Sequence, residues 1–528
     1  MMGEQAVLDR VRKDLYIGGQ WRPASGGNKL SVEDPSTGLP LAEVADATPE
    51  DALAALTAAA DAQPAWAATA PRERGEILRR AYELLLARVD ELAMVMTLEM
   101  GKALAESKAE INYAAEFLRW FSEEAVRIHG RYMTNTTGQG RILTMRQPVG
   151  PCVFVTPWNF PTAMGTRKIA PAIAAGCTMV VKPAQQTPLS MLALAGVLAE
   201  AGLPAGVLNV ITAHHSGAVI EPLLKDKRTR KLSFTGSTEV GRKLIEQSAD
   251  QVLRVSMELG GNAPFVVFED ADLDAAVEGA LIAKLRNVGE ACTAANRFHV
   301  HESLAEEFAK RMAERMRKLK VGRGTEPDVD IGPLIDDRQR GIVEELVQDA
   351  VQKGAKILCG GERLTGPSHP NGSTATGASP SATGASPSTT GASSSTTGAS
   401  SSGRGTPAAG GYFFAPTVLD GVPSDARILR EEVFGPVAPV STFSTEEQAI
   451  EAANATEYGL VAYIYTRDLA RTLRVSEAIE AGMVGVNQGI VSNPAAPFGG
   501  VKQSGFGREG GFEGIGEYLE TKYVALNV

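Results

Sequence analysis

Residues 153–182 read VFVTPWNFPTAMGTRKIAPAIAAGCTMVVK, and the order of elements in this stretch decides the fold. Val153–Thr156 is a short apolar run closed by a proline, which predicts a buried strand. Ala163–Ala175 reads as a helix, and Thr178–Lys182 as a second strand. Moving outward, Ser190–Ala201 is a helix, Val207–Ile211 a strand, Ile220–Leu224 part of a helix and Lys231–Phe234 a strand. Short apolar strands alternating with helices predict a parallel, doubly wound α/β sheet. A second alternating series starts at Ala263, with helices expected over Phe308–Leu319 and Arg338–Lys353. Upstream, Thr48 to about Arg127 is helical in pattern, with Pro71 near a helix start. Met133–Pro148 alternates in the β manner and predicts a protruding hairpin.

The chain has 528 residues, enough for two or three domains, and its 44% hydrophobic and 22% charged content is globular. A formal charge of −10 without any basic run argues against nucleic-acid or anionic-membrane partners. Met1–Asp14 is polar and charged, unlike a secretory signal, and no window has the apolar length to cross a bilayer. A cytoplasmic protein is expected. Cys152, Cys177, Cys292 and Cys359 are too few and too scattered for a disulfide scaffold, and the six histidines are equally dispersed. No metal site is expected. One segment breaks the α/β order: Thr376, Thr383, Thr390 and Thr397 each open a T-G-A-S tetrad. The repeat offers nothing apolar to bury, so 366–409 is expected to be a disordered insert between hairpin ends at Gly360–Gly361 and Gly410–Tyr412.

Three clusters bear on chemistry, and each has a plainer reading. Thr156-Pro157-Trp158-Asn159-Phe160-Pro161 follows a strand, where open α/β sheets bind ligands. Asn159 there either aims its amide at a substrate oxygen or caps a turn while Trp158 fills core. In Met257-Glu258-Leu259-Gly260-Gly261-Asn262 a carboxylate sits among apolar neighbours, which suits it to general-base work near neutral pH. A salt-bridged glutamate at a strand end is the alternative. Gly289-Glu290-Ala291-Cys292 holds a cysteine that is either a buried small hydrophobe or, given a base from elsewhere in the fold, a nucleophile.

Together these clusters resemble the aldehyde dehydrogenase superfamily. The likeness extends to Lys182-Pro183-Ala184, to Phe234-Thr235-Gly236-Ser237-Thr238-Glu239-Val240-Gly241, to Glu431-Glu432-Val433-Phe434-Gly435-Pro436 and to Pro497-Phe498-Gly499-Gly500. Glu258 lies 34 residues before Cys292 and Asn159 lies 133 before it, as in the family. The resemblance implies an aldehyde dehydrogenase fold: a Rossmann-like cofactor domain (14–132 and 149–260), an α/β catalytic domain (261–515), and a β oligomerisation arm (133–148 and 518–528) pairing across subunits in a homodimer or homotetramer. By the same likeness Cys292 is the nucleophile, Asn159 and the Cys292 N–H form an oxyanion hole, and Glu258 is the base. It places Trp158, Lys182, Gln185, Gly236, Ser237, Gly241, Glu432 and Phe434 at the cofactor. Gln185 stands where many NAD⁺-preferring members have Glu, so NADP⁺ is expected to be favoured and NAD⁺ usable. A departure occurs at Thr212-Ala213-His214-His215, where many members carry a glycine-rich turn.

Within the superfamily the chain is most similar to succinate-semialdehyde dehydrogenases, through Thr166-Arg167-Lys168, Lys284-Leu285-Arg286-Asn287 and Gly489-Ile490-Val491-Ser492-Asn493. The resemblance assigns Arg167, Arg286 and Ser492 to the distal carboxylate of a small aldehyde substrate, and a guanidinium suits that task by forked, always-charged donation. Ala294 stands where some members carry a second cysteine, so a disulfide switch beside Cys292 is not expected. Rival readings are glutarate semialdehyde or a neutral aldehyde as substrate, and a non-catalytic binding or structural protein on the same scaffold.

Overall fold

The structure is a computed structural model that describes residues 3–366 and 410–527; apart from Gly366, the expected insert lies outside the described residues. Its first sheet has eight strands, of which five run parallel: Leu208–Val210, Met179–Lys182, Cys152–Val155, Lys231–Thr235 and Arg254–Glu258, in that spatial order. Chain order therefore reverses between Cys152–Val155 and Lys231–Thr235, and a ligand crevice opens beyond the carboxyl ends of strands at such a switch point. The loops that leave these two strands carry Asn159 and Gly236. Leu15–Ile17 and Gln20–Arg22 extend one edge antiparallel and Gly505–Phe506 the other; the sequence reading had not identified these strands.

The second sheet orders Lys356–Cys359, Thr417–Asp420, Val437–Phe443, Ala295–His301, Ala263–Val267, Val461–Tyr465 and Met483–Val486, and only its first pair is antiparallel. That pair is the hairpin expected to flank the insert. Its arms stay together to the edge of the described residues, with Leu364 N–H donating to Phe413 C=O. The early helical region resolves into Pro49–Ala68, Pro71–Ala87, Val89–Met100 and Leu104–Glu124. Thr48 and Asp51 form a capping box at the first, and Pro71 begins the second.

Helix Leu104–Glu124 matters most to the site. Its buried positions (Ser107, Glu110, Ile111, Ala114, Leu118 and Phe121 among them) recur every three or four residues, so one face is covered and packs on helix Ala163–Ala175. A third sheet joins Arg131–Thr134, Arg141–Pro148 and Leu519–Leu526. The last strand joins the hairpin as expected of the arm, from Leu519 against Pro148 to Leu526 against Arg141. No described helix is long and apolar enough to cross a membrane.

Candidate active site

A cavity of about 360 Å³ lies at the switch point, with Asn159, Glu258, Cys292, Glu432, Phe434 and Gly236 in its walls. Five separate segments supply these residues, and close backbone approach lets them meet. A Cβ on Gly261 would stand 2.4 Å from the carbonyl oxygen of Cys292, and one on Gly241 would stand 2.4 Å from the Leu259 side chain. The glycines of the 257–262 cluster and of the 236–241 turn thus bring the Glu258 strand end, the Cys292 loop and helix Thr238–Ala249 into contact. Gly236 N–H donates to the Glu258 carbonyl, which ties two of these segments directly.

Cys292 is partly exposed, whereas Cys152, Cys177 and Cys359 are buried elsewhere. Burial pushes the Cys292 thiol well above its ordinary pKa; the nearby Glu258 carboxylate adds to this, and the Arg167 guanidinium opposes it. A thiol in that state needs a base before it can attack a carbon. Glu258 ends strand Arg254–Glu258, is buried, and neither of its carboxylate oxygens has a hydrogen-bonding partner among the described residues. The alternative of a salt-bridged strand-end glutamate therefore does not describe it. Burial raises its pKa above the ordinary glutamate range, against the pull of Arg167.

Asn159 is buried, and its side-chain NH₂ donates one hydrogen bond to the Glu290 carbonyl at 3.0 Å. Its Oδ1 accepts from Phe160 N–H at 3.1 Å, which fixes the amide orientation and leaves the second N–H for the cavity. The Cys292 N–H has no acceptor among the described residues.

The other wall is made for a larger ligand. Ser237, which lines the cavity, caps helix Thr238–Ala249 by accepting from Val240 N–H, so the cavity reaches the N-terminal end of that helix. Glu432 accepts from Gly261 N–H at 3.1 Å; burial lifts its pKa to about 8, and Lys284 only partly offsets this. Phe434 takes a left-handed backbone (φ 48°), which sets its ring edge-on to Trp158 at 5.3 Å. Gln339 donates to the carbonyls of both Val433 and Phe434 and holds that conformation. Lys182 is buried away from this cavity and donates to Ser216 Oγ at 2.5 Å; burial lowers its pKa to about 8. Gln186 lines the cavity, while Gln185 and Gly241 do not. Sequence reasoning missed Gln186 and Gln339, which carry no motif signal of their own.

A second cavity, of about 190 Å³, lies on the other side of the Asn159 loop: Asn159 lines the first, and its neighbour Phe160 lines the second. Arg286, Ser492, Ile490, Tyr113 and Glu106 also line it, with Ala109, Glu110 and Asn287 beside them. Arg286 donates to Ser492 Oγ at 3.1 Å and lies over the Phe160 ring at 4.9 Å; its charge acts to lower the pKa of Glu106, which burial raises. The structure separates the two arginines. Arg167 is buried and paired with Glu509 at 2.8 Å, against the Phe498 ring at 3.9 Å, and it does not line the second cavity. Glu509 also holds Lys168 at 2.5 Å. Tyr113, which the sequence did not single out, places a buried, unpartnered hydroxyl in the cavity wall.

The chain matches the family model described as "Aldehyde dehydrogenase family" over residues 21–376 and 388–524. It is 56% identical to a succinate-semialdehyde dehydrogenase of Paenarthrobacter nicotinovorans, covering 92% of this chain and 98% of the relative. It is 46% identical to the NADP⁺-named succinate-semialdehyde dehydrogenase of Escherichia coli strain K12, covering 98% of each. A crystal structure of succinate-semialdehyde dehydrogenase from Burkholderia pseudomallei superposes with a TM-score of 0.89 at 44% identity, covering 98% of both chains.

Proposed function

The chain belongs to the aldehyde dehydrogenase family, and we propose that it oxidises succinate semialdehyde to succinate, with NADP⁺ favoured and NAD⁺ usable. Arg286 carries the substrate assignment: it is a guanidinium in no close ion pair among the described residues, braced by Ser492, with Glu106 in the same cavity wall and held by Asn287 N–H. A substrate with an aldehyde at one end and a carboxylate at the other answers both cavities at once.

The first cavity suits a nicotinamide nucleotide. A capped helix N-terminus offers N–H groups to phosphate, Glu432 offers a carboxylate to a ribose, and the Phe434–Trp158 pair offers an apolar wall to a ring. Bound there, the nicotinamide supplies the hydride acceptor. In this reading Glu258 takes the proton of Cys292, and the thiolate attacks the aldehyde carbon. The oxyanion of the thiohemiacetal is held by the second Asn159 N–H and by Cys292 N–H, donors worth about 3–4 kcal/mol each in such sites. Oxidation leaves a thioester on Cys292. Glu258 gives up the Cys292 proton to solvent, then takes one from the water that attacks the thioester, and returns it to the departing thiolate as the acid leaves.

In this assignment Arg286→Ala raises KM for succinate semialdehyde steeply, by the about 2–5 kcal/mol typical of removing one arm of a buried charge pair. Butanal, which has no carboxylate, is spared. Steady-state kinetics on succinate semialdehyde, glutarate semialdehyde and butanal check both the variant and the substrate choice; equal losses on all three assign Arg286 to structure. Arg167→Ala differs in kind, because it also strips Glu509 of a buried partner, so a loss of thermal stability accompanies any loss of affinity.

We assign the cofactor preference to Gln185 from its place in the Lys182-Pro183-Ala184-Gln185 motif: it removes the repulsion that an acidic side chain there exerts on a 2′-phosphate. Gln185→Glu shifts the ratio of kcat/KM for the two cofactors toward NAD⁺ by at least about tenfold, about 1.4 kcal/mol. An unchanged ratio removes Gln185 from the assignment and turns attention to Gln186. We further propose a homo-oligomer in which a second copy covers the three-stranded arm, supported by Tyr132 at 66% and Tyr523 at 60% exposure on that sheet.

A further inference from the structure

Two glutamates one helical turn apart, Glu106 and Glu110, stand on the same side of helix Leu104–Glu124, and the roles proposed above use neither. Each holds a different catalytic loop. Glu106 Oε1 accepts the backbone N–H of Asn287 at 2.6 Å. Asn287 (φ 57°, ψ 41°) and Val288 (φ 62°, ψ 13°) are consecutive left-handed residues, and a β-branched side chain is strongly disfavoured in that region. Such a turn persists only where its surroundings over-determine it. It follows Arg286 and leads to Cys292, so its shape sets where both side chains point.

Glu110 does the same for the other loop. Its Oε1 accepts from Thr162 N–H at 2.9 Å and Ala163 N–H at 3.1 Å. Its Oε2 pairs with buried Lys102 at 2.5 Å, and the same ammonium donates to the Asn159 carbonyl at 2.9 Å. The circuit closes at Glu290, whose carbonyl accepts from the side chains of both Asn159 and Asn287, at 3.0 and 2.9 Å. One ring of hydrogen bonds thus runs from Glu106 through Asn287, Glu290, Asn159 and Lys102 to Glu110, and the helix closes it.

We propose that Glu106 and Glu110 are positioning residues: through this ring, helix Leu104–Glu124 fixes the distance between the Asn159 amide and Cys292, and so sets the oxyanion geometry. The proposal rests on the roles given to Cys292 and Asn159 above. Glu106 is the partner to test, because altering Glu110 strands a buried lysine. Glu106→Gln keeps a carbonyl oxygen at the same reach, Glu106→Asp keeps the charge but withdraws it by one carbon, and Glu106→Met keeps the length but accepts nothing.

The full-length variants are compared in kcat for succinate semialdehyde, in the rate of Cys292 alkylation by iodoacetamide, in NADP⁺ binding and in Tm. Glu106→Met and Glu106→Asp are expected to lose on the order of tenfold to a hundredfold in kcat, the cost of a misplaced reacting group, with an altered alkylation rate. NADP⁺ affinity should hold, Tm should fall only modestly in the Met and Asp variants, which leave the Asn287 N–H without its acceptor, and Glu106→Gln should restore kcat, alkylation and Tm. If Glu106→Met does not fold, the Gln and Asp variants decide: a fast Asp variant, or a Gln variant as slow as Asp, overturns the proposal. A Cys292→Ala protein that still turns over would remove the underlying roles. An inactive Cys292→Ala beside fully active Glu106 variants removes the positioning ring alone.

Discussion

Cys292→Ala is expected to abolish aldehyde oxidation, by on the order of 10⁴-fold or more, while cofactor affinity stays close to wild type. No other group can replace the thiol. The remaining cysteines are buried at 0% (Cys152 and Cys177) and 8% (Cys359) exposure, and none lines the cavity that holds Asn159 and Glu258. The oxyanion donors stay in place in the variant, because Asn159 is held by Glu290 and Phe160 and not by the thiol. They then have no covalent adduct to stabilise. Cofactor affinity persists because the proposed cofactor groups, Ser237, Glu432 and Phe434, are fixed by backbone contacts that do not involve Cys292. Titration with NADP⁺ alongside turnover separates the two effects. Appreciable residual turnover removes Cys292 as the nucleophile, and loss of cofactor binding shows that it is structural.

The second large effect falls on Glu258. With both oxygens unpartnered beside the thiol, it is the group placed to activate water on the acylated enzyme. Glu258→Gln fills the same volume but cannot accept a proton. Acylation, in which solvent hydroxide can still deprotonate Cys292, slows less than hydrolysis, so about one equivalent of reduced cofactor forms first and the steady rate then falls by the about 10²–10⁴-fold typical of a lost general base. Stopped-flow absorbance of the reduced cofactor checks this. A uniform slowing without a burst assigns Glu258 to thiol activation instead. The pH profile carries the same signature. The wild-type steady rate depends on deprotonated Glu258, whose pKa burial raises, so the rate falls on acidification at a pH above the ordinary glutamate range. That limb disappears in the glutamine variant.

Much of this was legible in the sequence because it is local. Strand and helix alternation over 153–235 and the clusters around Asn159, Glu258 and Cys292 are short-range patterns, and the fold brings all three clusters to one cavity. The short edge strands at Leu15–Ile17 and Gly505–Phe506 escaped notice because three or fewer residues show no periodicity. What remained hidden is contact between residues far apart in the chain. Glu106 meets Asn287 across 181 positions, and Glu509 meets Arg167 and Lys168 from the far end of the molecule. No spacing rule announces such pairs. The two arginines looked equivalent in sequence, and only the Glu509 ion pair separates the neutralised guanidinium of Arg167 from that of Arg286. The strand Leu519–Leu526 was recognised as part of the arm, but its partner within the chain is fixed by register that the sequence does not display.

The most direct test of the central claim is mass spectrometry of Glu258→Gln protein quenched after mixing with NADP⁺ and succinate semialdehyde. Blocked hydrolysis is expected to leave the intact protein heavier by one succinyl group, on the peptide that contains Cys292, with one equivalent of NADPH released. An unmodified Cys292 peptide despite NADPH formation, or the adduct on another residue, would contradict covalent catalysis by Cys292.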